Sequence, residues 1–139
     1  MTTYTLPEDV HSPHDRWKLE KVVYSEGERM FAIAIGTWKL EDGTVQPRLA
    51  TRWNGDSDRP HGVPNSFNHA TWFILPDLLA VAIADTTLRL IAREGRPDAL
   101  ECIKHLVAWT DRIRPPVEYL PQDAHNPIRT TSARPASDR

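Results

Sequence analysis

Four strand-like segments followed by two helical ones predict an α+β domain: a four-stranded antiparallel sheet, a helix, and an added C-terminal helix. In Phe31-Ala32-Ile33-Ala34-Ile35-Gly36 the odd positions are large and apolar and the even ones small, the period of two that marks a strand. Arg48-Leu49-Ala50-Thr51-Arg52-Trp53 alternates too, with Leu49, Thr51 and Trp53 on one face and Arg48, Ala50 and Arg52 on the other. Pro76-Asp77 then opens a stretch of helical spacing that Gly95 closes. Proline suits a first helical position, and glycine the left-handed residue after a last one.

Residues 1–15 hold two prolines, two histidines and three acids with no apolar period. They are expected to form a loose arm ahead of one domain spanning 16–114. Trp17 to Tyr24 alternates imperfectly, with Trp17, Leu19 and Val23 on one side and Val22 and Tyr24 on the other, and reads as the first strand. Ser25-Glu26-Gly27-Glu28 turns into the second, Met30 to Trp38. Glu41-Asp42-Gly43 turns into the third, Gln46 to Trp53, with Pro47 near its start, where a missing N–H does least harm. Asn54-Gly55 begins a long irregular connection to about Asn68, and Ala70 to Leu75 is the fourth strand. The first helix runs from Pro76 to about Arg93. Its Leu78, Leu79, Val81, Ile83, Leu88, Leu90 and Ile91 cover more than one stripe, so it needs two partners. The second helix runs from Pro97-Asp98 to about Ile113, and Pro115-Pro116 ends it. Residues 115–139, rich in Pro, Ser, Thr, Ala and Arg, read as a disordered tail.

At 139 residues the chain has the length of a single domain. A formal net charge of -2 argues against coating duplex DNA by bulk charge, though it permits a local basic groove. One cysteine, Cys102, excludes an internal disulfide and reads as a buried, inert thiol. No apolar run approaches a membrane span, and the N-terminus lacks the order of a signal peptide, so a cytoplasmic protein is expected.

The four strands and first helix, roughly residues 17–93, resemble the positive-cofactor-four type of transcriptional coactivator and its bacterial relatives. The matching pieces are the glycine-containing strand Met30–Trp38, the arginine-bearing strand ending at Trp53, the turn-rich connection, and Phe73-Ile74-Leu75-Pro76-Asp77. Asn65-Ser66-Phe67-Asn68-His69 departs from that family's lysine-rich lead into the last strand. The resemblance implies a sheet that binds single-stranded DNA and a homodimer formed through helices.

Read from the residues themselves, Arg48 and Arg52 share a strand face, at a spacing expected to suit consecutive phosphates of an extended strand. Trp38 has the parity of Ala34 and Gly36 and offers a ring for base stacking. Lys18 on the first strand is a further expected contact. The small Ala32, Ala34, Gly36 and Ala50 would let a ligand lie close to an open sheet face. These residues predict a non-catalytic protein that binds single-stranded DNA or RNA, in transcription or replication. The alternative is a homodimeric protein-interaction scaffold with no nucleic-acid binding, which Glu20 would favour by neutralising Arg48 and Arg52.

Other chemistries lack their signatures. Asp56, Asp58, His61 and His69 place oxygen and nitrogen donors in one loop, but no helical His pair or Cys pair gives zinc spacing. No metal or other cofactor is expected. Ser66 has no nucleophile-elbow context. Asp85 and Glu94 read as helix-surface acids, and His105 as structural.

Overall fold

The computed structural model describes residues 3–113; the expectation for residues 115–139 lies outside them. The fold is α+β. Strands β1 (Trp17–Ser25), β2 (Phe31–Lys39) and β3 (Val45–Trp53) form an antiparallel meander. A small hairpin of β4 (Asn65–Ser66) and β5 (His69–Ala70) follows. Strand β6 (Phe73–Ile74) then joins β3, for a sheet order of β1-β2-β3-β6. Helices α1 (Asp77–Glu94) and α2 (Ala99–Ile113) lie across one face.

Alternation sets the register of the central pair. Ala34 faces Ala50, Ile35 faces Leu49, and Gly36 faces Arg48. The first strand alternates less cleanly because it carries two irregularities, between Leu19 and Lys21 and between Val22 and Tyr24. Each adds a residue and resets parity. Trp17, Leu19 and Val22 therefore pair with Trp38, Gly36 and Ala34 on one face, while Tyr24 pairs with Ile33 on the other. Val23 packs with the helix-side core, a correction to its expected grouping with Trp17 and Leu19. The fourth strand is shorter than expected, because Trp72 leaves the ladder to bury its ring.

The helix-side core is ordinary. Ile33, Ile35, Leu49 and Leu75 meet Ala80, Ala84 and Ile91 of α1 and Cys102, Leu106 and Trp109 of α2. Pro76 sits extended at the N-cap of α1, and Gly95 takes the left-handed conformation at its end (φ 60°, ψ 37°). Buried Thr87 and Thr110 return their hydroxyl protons to the carbonyls of Ile83 and Leu106 (2.7 and 2.8 Å), satisfying groups that would otherwise be costly to bury. The wide apolar arc of α1 is only partly covered. Leu88 and Ile83 pack against the core, while Leu78 stays 90% exposed. No helix among the described residues is long and apolar enough to cross a membrane.

The opposite face departs from expectation: it is a second core. Ala32, Ala34 and Ala50 are covered by Val10, Trp17, Ala70 and Trp72. The N-terminal segment is packed beneath the sheet, with Val10 1% exposed and Ser12 bridged to Thr71. Trp72 donates its indole N–H to the Val10 carbonyl at 2.7 Å, and the Pro60 carbonyl accepts from the Thr5 amide at 2.9 Å. Gly36 has no side chain for a physical reason: a Cβ there would strike the Lys18 carbonyl and the Trp17 ring, the latter at 2.7 Å. The small residues make room for the chain's own tryptophans. Val10→Ala, which removes two methyl groups from this core, is expected to lower stability by about 1–3 kcal/mol in urea unfolding. A loose arm would leave the midpoint unchanged.

Candidate interaction surfaces

The four residues expected to bind nucleic acid are dispersed. Arg52 is 2% exposed. One terminal nitrogen donates to the Thr71 carbonyl at 2.7 Å and the other to the His61 carbonyl. Its guanidinium lies 5.8 Å from the centre of the Trp72 ring, and its Nε is buried without a partner. Burial pushes its pKa down to about 10, leaving the side chain charged at neutral pH. Arg52 points to the expected face, but that face is closed over it.

Arg48 is spoken for as well. It donates to the Asp77 carboxylate and, at 2.7 Å, to Gln46 Oε1. It stands four positions from Arg52, about 13 Å along a strand, which corrects the expected match to consecutive phosphates. Trp38 is half-buried against the alanine-face core. Lys18 is exposed and pairs with Thr37, on the face opposite Trp17 and Trp38. Glu20 does not reach either arginine; it accepts both terminal nitrogens of Arg112 on α2 (3.0 and 2.7 Å). The side chains thus form neither an open basic face nor a Glu20-neutralised one.

The loop acids have local work. Asp56 accepts from the backbone amides of Asp58 and Arg59, each at 2.8 Å, and pairs with Arg29. Among the described residues no three His, Cys, Asp or Glu side chains are grouped to hold a metal ion. Cys102 is buried, its thiol 3.6 Å from Asp98 Oδ2, and burial raises its pKa, which disfavours the reactive thiolate.

The surface that sequence reasoning missed is aromatic. On the helix side, Tyr24, Phe31 and Trp53 form a row across three strands. Their ring centres are 5.4 Å apart for Tyr24–Phe31 and 6.1 Å for Phe31–Trp53. Tyr24 is buried, Phe31 half-buried and Trp53 55% exposed, so the row runs out from the core into solvent. Val63 is bridged to Trp53 through reciprocal backbone bonds of 2.7 and 2.9 Å and is exposed too. Phe73, opposite Thr51 on β3, is 57% exposed. Trp53 reads in sequence as a core residue at a strand end. Its parity is right, but the helices stop short of it. Phe67 stands at the tip of the β4–β5 hairpin with φ of 48°, unusual for a bulky side chain, and is almost wholly exposed.

At the buried end of the row, the Tyr24 hydroxyl lies 2.8 Å from Glu26 and 2.7 Å from Glu94. With one proton, it donates to one carboxylate at a time. Arg96 packs over the Tyr24 ring and donates to the Ser25 carbonyl, joining the turn after α1 to the end of β1.

No family model, curated protein or solved structure matches the chain. The surfaces themselves carry the functional argument.

Arg52→Ala orphans the Thr71 and His61 carbonyls and is expected to cost roughly 2–6 kcal/mol, at 1–3 for each. Arg48→Ala, whose partner Asp77 is exposed, should cost about 1 kcal/mol or less; denaturant midpoints compare the two. Burial, then the Glu94 and Glu26 carboxylates, hold the Tyr24 phenol well above its ordinary pKa of 10. The fold binds the phenolic proton more tightly than the unfolded chain does. That stabilisation is complete below pH 10 and is lost as pH rises beyond it. Tyr24→Phe should lower stability at pH 7 and flatten its decline above pH 10, measured by thermal unfolding across that range.

Proposed function

We propose that this chain is a non-catalytic interaction module that assembles as a homodimer. The observation that carries this reading is the shelf of Trp53, Val63 and Phe73, which extends the aromatic row of the core into solvent. Large aromatic side chains are the residue type from which interface hot spots are most often built. The neighbouring Leu78 and Leu79 begin α1 as further exposed apolar groups. A twofold contact lets one such surface cover its own copy.

A second reading, binding of single-stranded nucleic acid in transcription or replication, draws support from the same exposed rings. Trp53 and Phe73 offer faces on which bases stack, an interaction tolerant of sequence. The two readings separate experimentally. Sedimentation equilibrium at low micromolar concentration is expected to give a dimer, twice the 15.8 kDa of one chain. Trp53→Ser with Phe73→Ser should weaken dimerisation by about thirtyfold or more. A monomeric wild type that quenches its tryptophan emission on titration with oligothymidylate would select the second reading. A monomer that binds no oligonucleotide would remove both.

A further inference from the structure

We propose that the chain binds a phosphate-bearing small molecule in a cleft at the β1–β2 end of the sheet, a site independent of the aromatic shelf. Lys21, Arg29, Arg48, Arg96 and Arg112 are each held in an ion pair, and Arg52 is buried. Of the described cations in none of these ion pairs, which include Arg59, Arg89, Arg93 and Lys104, three line one cleft of about 490 Å³: Arg16, Lys18 and Lys39. That volume is within the range of small-molecule sites.

The strand ladder makes the grouping unavoidable. Lys18 pairs with Thr37. Two residues along, the Lys39 amide donates to the Arg16 carbonyl at 2.8 Å, and Arg16 Nη1 lies 3.4 Å from the Lys39 carbonyl. Arg16 and Lys39 are therefore direct cross-strand neighbours of like charge, an arrangement that destabilises a sheet. Lys18 shares their face by alternation. Of the two carboxylates on the cleft, Glu20 is already paired with Arg112. Only Asp15 remains to offset three cations.

The chemistry selects the ligand. Arg16 and Lys18 are two residues apart, about 7 Å along the strand, and Arg16 and Lys39 are about 5 Å apart across it. Side chains of this length converge from such spacings on one phosphate group or on two linked ones. Thr37 adds a hydroxyl to the wall.

Calorimetric titration of the full chain at low salt, with inorganic pyrophosphate, adenosine diphosphate and adenosine in separate runs, tests the proposal. Pyrophosphate is expected to bind with one site per chain and to weaken as salt rises. The triple variant Arg16→Ala, Lys18→Ala, Lys39→Ala should lose binding by more than about tenfold. Its thermal midpoint without ligand should hold or rise, because repulsion is relieved. Tighter binding of adenosine diphosphate than of pyrophosphate would assign the site to a nucleotide; equal binding would assign it to the bare diphosphate. A wild type that ignores pyrophosphate, a folded triple variant that binds undiminished, or adenosine binding as well as its diphosphate would each overturn it. None of these outcomes depends on whether the chain dimerises.

Discussion

The packing of two tryptophans onto a stripe of alanines is the constraint on which this architecture rests. Ala32, Ala34 and Ala50, with Gly36 at the end of the row, leave a flat floor. Trp17 and Trp72 fill it. A large ring buries more apolar surface than most side chains, but only where the opposing residues are small enough to let it lie flat. The sheet consequently has two dry faces. One is closed by helices that carry their own hydrogen bonds. The other is closed by irregular chain, whose backbone groups need partners from elsewhere.

Arg52 supplies several of those partners. A guanidinium with no carboxylate beside it is an expensive thing to bury, and here its donors are spent on the carbonyls of His61 and Thr71. Both carbonyls belong to the connection between β3 and β6. Gly62, at φ 60°, lets that connection approach closely, since a Cβ there would strike the Trp53 carbonyl and, at 2.8 Å, a terminal nitrogen of Arg52. The cation thus does for loop backbone what a neighbouring strand would do for a strand. The long connection is ordered by being bonded to a side chain from the sheet it crosses.

This explains which parts of the molecule were legible in its residues. Alternation in Phe31–Gly36 and Arg48–Trp53 identifies the central strands and their faces, and Pro76 and Gly95 bracket α1. These are local signals, and the structure follows them. A pattern of alanines facing one way reports that something must come close to that face; it does not say whether the visitor is a ligand or the same chain. The cover comes from Val10 and Trp72, single apolar residues in stretches without periodicity, and no period marks them. The two irregularities in β1 are equally silent, yet they decide that Val22 faces Ala34 and the alanine-side core. Trp53 misleads for a different reason. Its parity is that of a core residue, and only the reach of the helices leaves it in solvent.

Pro47 has a consequence for how copies of this chain can meet. Strand β6 pairs with β3 only at Ala50 and Thr51, and the Leu49 carbonyl accepts from Leu75 on the same side. By alternation, residue 47 turns its backbone outward along the stretch of β3 that β6 leaves uncovered. Proline has no amide proton to offer an incoming strand there. At the other margin, the irregularities of β1 bend the ladder that a newcomer would have to match. Growth by adding strand to strand, the route to fibres, is thereby discouraged at both margins, and contacts between side chains on the faces are left as the way to build anything larger.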